Sequence, residues 1–199
     1  MTAAQGGEYA ARERIRTRLR ELAETAERTA AERVEEIATA LEMMRDTVMR
    51  GGLLLFCGNG GSAADAQHLA TEYVVRYMKH RRALPAIAIT TDTSLLTAAG
   101  NDLGFEEIFA RQVEALAKPG DLLVVHSTSG NSPNVLRAAE AAHAKGAKVL
   151  ALTARDGGAL AKVADHAIVI PTDRTDRAQE VHLCIQHLIC ELVEEGLDT

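Results

Sequence analysis

The sequence predicts an α/β fold: a doubly wound, five-stranded parallel sheet with a long helix ahead of it. Three observations carry that expectation. Residues 53–57, 85–90, 122–126, 148–153 and 166–170 are short and apolar, as parallel strands covered on both faces must be. Helical patterns alternate with them at roughly 62–78, 105–117, 133–145 and 158–164, in keeping with right-handed crossovers. Two strand ends run directly into turns rich in glycine and hydroxyls, where doubly wound sheets bind ligands.

Taken in order, residues 1–7 read as a loose end, and residues 8–50 are helical in pattern. Ile15, Leu19, Leu22, Ala26, Ala30, Val34, Ile37, Leu41, Met44 and Val48 step by three or four, with Glu and Arg between them. The stretch far exceeds an average helix, so it is one long helix or two in succession. A small domain cannot cover so long a stripe, which points to a bundle between subunits. Residues 1–50 are therefore expected to be an oligomerisation segment, and residues 51–199 one ligand-binding unit.

The first strand feeds Gly58-Asn59-Gly60-Gly61-Ser62, and a helix follows. Strand, glycine turn and helix aim backbone N–H groups at an anion. Ser62 is a suitable N-cap, and Asp65 suits the positive end of the helix. Further along, His68 and Glu72 stand at i and i+4, so imidazole and carboxylate share a face. The third strand feeds Ser127-Thr128-Ser129-Gly130-Asn131-Ser132-Pro133, with Ser132 at an N-cap and Pro133 at the first helical position. Hydroxyls, a glycine turn and a helix N-terminus together suit a phosphate monoester.

Gly58-x-Gly60-x-x-Ala63 also fits a loose dinucleotide fingerprint. The acidic residue that fingerprint requires falls near Tyr77 and Met78, in a helical pattern, so no nucleotide cofactor is expected. Asn101 and Asp102 follow a short helix at 95–99, and Asp176, Gln179, His182 and His187 lie on a final helix at 176–195. His80, His126, His143 and His166 have no acidic neighbour at helical spacing and read as surface or structural. His182 reads as a packing or supporting residue, and Cys184 and Cys190 as core.

At 199 residues and a formal net charge of −6, the chain is long enough for one domain. Its longest basic cluster is Lys79-His80-Arg81-Arg82, which argues against a nucleic-acid footprint. No apolar run reaches the roughly 20 residues of a membrane span, and the start is too charged for a signal peptide. The 3 cysteines show no paired spacing and read as reduced thiols of a cytoplasmic protein.

Five motifs together resemble the sugar isomerase (SIS) domain, and within it the phosphoheptose isomerases that act on sedoheptulose 7-phosphate. They are the run from Gly58 to His68, Gly100-Asn101-Asp102-x-Gly104-Phe105, Ser127 to Ser132, Asp156-Gly157-Gly158, and Arg177-x-Gln179-Glu180-x-His182. The resemblance spans nearly the whole chain and implies a flavodoxin-like SIS fold. It implies that Ser62, Ser127, Thr128, Ser129 and Ser132 hold the substrate phosphate. Asn59, Arg76, Asp102, Asp176 and Gln179 would line the sugar, and the substrate set also takes in Gly60, Gly61 and Asn101. Glu72 would be the base and His187 the acid that convert the ketose through an enediol to D-glycero-D-manno-heptose 7-phosphate.

Some family members carry zinc, here implied on His68, Glu72, Gln179 and His187, and the family forms tetramers with active sites at subunit contacts. Gln179 and His187 are eight residues apart, a rise of about 12 Å and a net turn of about 80° on a straight helix. One ion hardly reaches both, which suggests that a neighbouring chain supplies one of them, or that Gln179 sits on a loop. SIS proteins without catalysis also exist, as phosphosugar sensors or as partners of the bacterial replication initiator. The latter lack the glutamate and the last histidine, and this chain keeps both. Val75 stands where a glycine often precedes Arg76, and Arg155 replaces a common lysine.

Overall fold

Each apolar run forms a strand, and alternation along the strands sorts their side chains onto two faces. The computed structural model describes residues 3–197, with side chains from Tyr9 onward. The strands β1 (Leu54–Gly58), β2 (Ala86–Ala88), β3 (Leu122–His126), β4 (Lys148–Ala154) and β5 (His166–Ile170) pair in parallel in the order β2-β1-β3-β4-β5. The winding reverses between β1 and β3, so the loops after these two strands open on one crevice. Gly58 pairs with His126, which starts both loops at the same level.

Helices α1 (Ala3–Met49), α2 (Gly61–Val74) and α7 (Thr175–Glu195) cover one face of the sheet, burying Met44, Leu69 and Ile189 against Phe56, Val124 and Leu152. Helices α3 (Thr93–Asp102), α4 (Ala110–Leu116), α5 (Pro133–Ala144) and α6 (Leu160–Val163) cover the other, around Leu55, Leu123, Val125 and Val149. The chain thus forms the doubly wound sheet its alternation predicts, with the long helix in front.

α1 is a single helix that already includes residues 3–7, expected to be loose. Gly6 and Gly7 cost about 1 kcal/mol each in a helix, but no proline blocks the backbone. Its stripe divides in two. Ala40, Met44 and Val48 are fully buried and Leu22 is partly buried against the core, whereas Ile15, Leu19 and Val34 are 60%, 63% and 55% exposed, so the chain itself covers the stripe fully only near its end.

Other boundaries moved for local reasons. Helix α2 begins one residue before Ser62, with Gly60 at the N-cap, so Ser62 is not the cap. Asn101 and Asp102 belong to the last turn of α3, which the Asp92 carboxylate caps by accepting from Leu95 N–H at 3.0 Å. Residues 105–117 split into a 3₁₀ turn (Phe105–Glu107) and α4. Cys184 is exposed rather than core, while Cys190 is buried.

The largest departure is the end of α2, which stops at Val74 and not at Met78. The Glu194 carboxylate accepts the backbone N–H groups of Tyr77, Met78 and Lys79 at 2.7, 2.8 and 3.0 Å. It also accepts Arg81 Nε at 2.8 Å, and the two charged side chains are only 4% and 1% exposed. Arg81 in turn donates to the carbonyls of Glu72 (2.7 Å) and Tyr73 (2.8 Å) at the end of α2. A carboxylate from the far end of the chain thus outcompetes the next turn of helix. Arg81 is therefore no part of a basic surface cluster.

His126 and His182 are fully buried, and burial pushes their pKa values down from 6.5 to about 3 and about 4. His182 Nε2 donates to the Thr153 carbonyl at 3.0 Å, which favours the protonated ring, but burial outweighs it. Unfolded, both rings take up a proton below their ordinary pKa of about 6.5, and the folded chain resists this. Stability is unaffected above that pH and is lost as pH falls from there toward about 4. The slope approaches about 2.7 kcal/mol per pH unit for two protons. The urea midpoint should therefore drop between about pH 7 and about pH 5. A midpoint that stays flat would count against two buried neutral histidines.

Candidate active site

The loops after β1 and β3 face each other across a cavity of about 270 Å³, lined from the first by Asn59 to Ser62 and from the second by Ser127, Thr128, Ser129 and Ser132. Two glycines make the approach possible. A Cβ on Gly61 would lie 2.7 Å from Gln179 Nε2, so the side chain of α7 can close over the loop only because Gly61 has none. At Gly130, φ is +63° and a Cβ would fall 2.0 Å from the Gly157 carbonyl oxygen. The Asp156-Gly157-Gly158 motif therefore acts as the floor beneath the hydroxyl loop. Asn131 braces it, donating to the Ser129 carbonyl at 2.9 Å and accepting Ala159 N–H at 3.0 Å.

Asn59 lines the cavity, but its amide is committed. It exchanges two hydrogen bonds with Asn134 of α5, each 2.9 Å, and so locks the two loops together. Among the described residues the hydroxyls of Ser62, Ser127, Thr128 and Ser132 have no hydrogen-bond partner, which leaves them available to a ligand. Among the described residues no lysine or arginine lines the cavity. Its pull on an anion comes instead from hydroxyls and from three helix N-termini, those of α2, α5 and α7. Thr175 and His126 also line it. The sequence offered no spacing signal for either.

A second cluster lies further along α2. His68 Nε2 is 2.8 Å from His187 Nε2 and 3.3 Å from Glu72 Oε1. Imidazole, imidazole and carboxylate offer atoms all within 4.8 Å of one another. One helical turn brings His68 to Glu72, and the packing of α7 beside α2 brings His187 to both. Partial burial and the neighbouring His68 hold the His187 pKa below its ordinary value, while Glu72 pulls it the other way. A neutral imidazole with one exchangeable proton, next to a carboxylate, can pass protons near neutral pH.

The same three groups fit a zinc ion. Nitrogen and oxygen ligands at roughly 2.0–2.2 Å from one ion stand at most about 4.4 Å apart, so small rotations would bring all three onto it. The helix α7 is regular from Thr175, so Gln179 is not on a loop. Its amide lies against Gly61 in the hydroxyl-lined cavity, whereas His187, two turns on, joins His68 and Glu72 of its own chain. One chain thus gathers three of the four expected ligands and leaves Gln179 with the anion pocket.

The remaining expected residues are elsewhere. Arg76 is exposed and its guanidinium reaches only the Tyr77 carbonyl, at 3.4 Å. Asn101 donates to Asp102 at 2.7 Å, and both are exposed. Asp176 is held between Arg174 and Arg177, which keep its carboxyl well below the usual range. None of these four lines the cavity of its own chain.

Comparison with known proteins agrees with this picture. The SIS domain family model matches residues 19–154. A phosphoheptose isomerase of Rhodospirillum rubrum is 53% identical over 161 residues, covering 81% of this chain and 86% of that protein. The solved phosphoheptose isomerase of Neisseria gonorrhoeae superposes with a TM-score of 0.88 at 44% identity, covering 93% of this chain and 99% of that one. The solved phosphoheptose isomerase from Francisella tularensis gives 0.90 at 37% identity, with 94% and 99% covered. No helix among the described residues is long and apolar enough to cross a membrane.

Proposed function

We propose, from the premise that the chain belongs to the SIS domain family and to the phosphoheptose isomerases within it, that it converts sedoheptulose 7-phosphate to D-glycero-D-manno-heptose 7-phosphate with Glu72 and His187 as the proton-transfer pair. The observation that carries this reading is the spacing of two sites on one helix. Ser62 stands at the phosphate end of α2, and His68 and Glu72 lie about 9 and 15 Å further along the axis. An extended chain gains roughly 1.2 Å per bond, so the eight bonds from phosphorus to C1 of a heptose 7-phosphate span about 10 Å. Phosphate in the hydroxyl pocket would leave C1 and C2 beside the pair.

In this mechanism the Glu72 carboxylate takes the proton from C1 of the ketose while His187 gives one to the C2 oxygen, forming the enediol. Glu72 then returns a proton to C2, and His187 removes the one on the C1 oxygen. Phosphate binding far from the reacting carbons holds them in line. Gln179, at the mouth of the pocket, fits a contact to the sugar. His68, Glu72 and His187 would hold a zinc ion, which would polarise the carbonyl as a Lewis acid; the lone pairs it takes up are then not free to move protons, and Gln179, the fourth ligand the resemblance implies, lies with the hydroxyl-lined pocket of its own chain. Metal content before and after chelation, read beside turnover, tests that assignment.

Because the exposed part of the α1 stripe and the outlying Arg76, Asn101, Asp102 and Asp176 stand apart from the cavity of their own chain, we assign them to contacts in a homotetramer with shared sites, and we place the protein in the cytoplasm. Sedimentation of the wild type beside Leu19→Asp tests this: an unchanged assembly would remove the stripe from the interface.

Formation of the aldose from sedoheptulose 7-phosphate tests the reaction itself. Turnover of other ketose phosphates but not of this one would keep an isomerase and remove the substrate. Phosphosugar binding without turnover, whatever metal is added, would favour a non-catalytic SIS binding protein. Ser129→Ala should raise KM several-fold and leave kcat within about twofold, because phosphate contacts exist in ground and transition states alike. A selective fall in kcat would contradict that role.

A further inference from the structure

Beyond the end of α2 the ring of Tyr77 lies flat against His187, with centroids 5.3 Å apart and planes 16° from parallel. His68 meets the same imidazole edge-on, at 5.0 Å and 78°. The second side-chain torsion of a histidine is broad, so an imidazole has little preference of its own for one plane. On His187 one face is set by Tyr77 and one edge by His68.

The platform is itself anchored. Tyr77 N–H donates to Glu194 at 2.7 Å, and Glu194 sits seven residues after His187 on α7, two turns along and on the same face. Platform and imidazole are therefore measured from one helix. Glu194 also holds Arg81, which bonds the Glu72 carbonyl, so the same ion pair ties the end of α2 to α7. Among the described residues the Tyr77 hydroxyl has no hydrogen-bond partner. Only the flat ring is in use.

We propose that Tyr77 is a positioning residue of this isomerase: it fixes the plane of the His187 imidazole relative to Glu72 and does not itself exchange a proton. The proposal rests on the assignment of His187 as the acid. A ring free to turn would spend much of its time aimed away from the substrate oxygens, which lowers kcat and leaves phosphate binding untouched.

Steady-state kinetics on sedoheptulose 7-phosphate, with the full-length wild type and the variants Tyr77→Ala, Tyr77→Leu and Tyr77→Phe, test it. Tyr77→Ala and Tyr77→Leu should each lower kcat about 10-fold or more with KM within about twofold, and Tyr77→Phe should recover most of the loss. A kcat for Tyr77→Leu equal to that of Tyr77→Phe would show that apolar volume suffices, and would overturn the proposal. So would a Tyr77→Phe as slow as Tyr77→Ala, which would implicate the hydroxyl, or a change confined to KM. A wild type without turnover of sedoheptulose 7-phosphate would overturn the substrate assignment, and this proposal with it. Loss of activity in Tyr77→Phe can thus be told apart from failure of the substrate assignment, which the wild type alone reports.

Discussion

Glu72→Gln should lower kcat on sedoheptulose 7-phosphate by about 10²–10⁴-fold, the range that a positioned general base contributes. The amide keeps the size of the side chain and a hydrogen-bond acceptor but cannot take a proton. The Glu72 side chain is 17% exposed and lies 3.3 Å from His68, so the substitution alters no core packing. KM should change little, because the hydroxyl-lined pocket lies at the other end of α2. Steady-state kinetics with wild type and variant side by side would show it. A Glu72→Gln enzyme turning over near the wild-type rate would remove the carboxylate from the chemistry and leave His187 to act with another base.

Glu194→Ala should destabilise the fold by about 3–5 kcal/mol, the usual cost of removing one partner from a buried ion pair. Arg81 would stay buried without its counter-charge, and three N–H groups after α2 would lose their acceptor. For a chain of this size each kcal/mol moves Tm by about 2–4 °C, so a fall of about 10 °C is expected. The charge matters as well as the shape. Burial raises the Glu194 pKa, but the N–H groups of Tyr77, Lys79 and Met78 and the Arg81 guanidinium outweigh it, and the net shift is downward. The pair therefore stabilises the fold above the ordinary carboxylate pKa, and that stability is lost as pH falls through the lowered folded value. An unchanged Tm in Glu194→Ala would mean that water replaces the carboxylate at little cost.

What the sequence made legible was local. Glycine and hydroxyl signals at 58–62 and 127–133 marked both loops, because turn and cap preferences act over a few residues. The pairing of His68 with Glu72 followed from helical periodicity alone. The Ser62 cap was two residues off, since Gly60 supplies the unusual backbone that starts α2. Hidden features were those that depend on packing between distant segments. Glu194 and Arg81 are 113 residues apart, and nothing in the helical pattern of 62–78 hints that a carboxylate would cut it short. Likewise Gln179 and His187 share a helix, yet α2 runs beside it so that they meet opposite ends of the site. Nor does any local pattern mark that Arg76, Asn101, Asp102 and Asp176 stand away from the cavity of their own chain.

Incubation of the wild type with sedoheptulose 7-phosphate in deuterated water tests proton transfer through Glu72 most directly. The His68 side chain beside Glu72 is 46% exposed and the Glu72 side chain 17%, which gives the proton that Glu72 removes a way to exchange before it returns. The expected product is the aldose heptose 7-phosphate carrying solvent deuterium at C2, with little of it from Glu72→Gln. Deuterated aldose formed just as fast by Glu72→Gln, or ketose left unchanged by the wild type, would contradict an enediol route through this site.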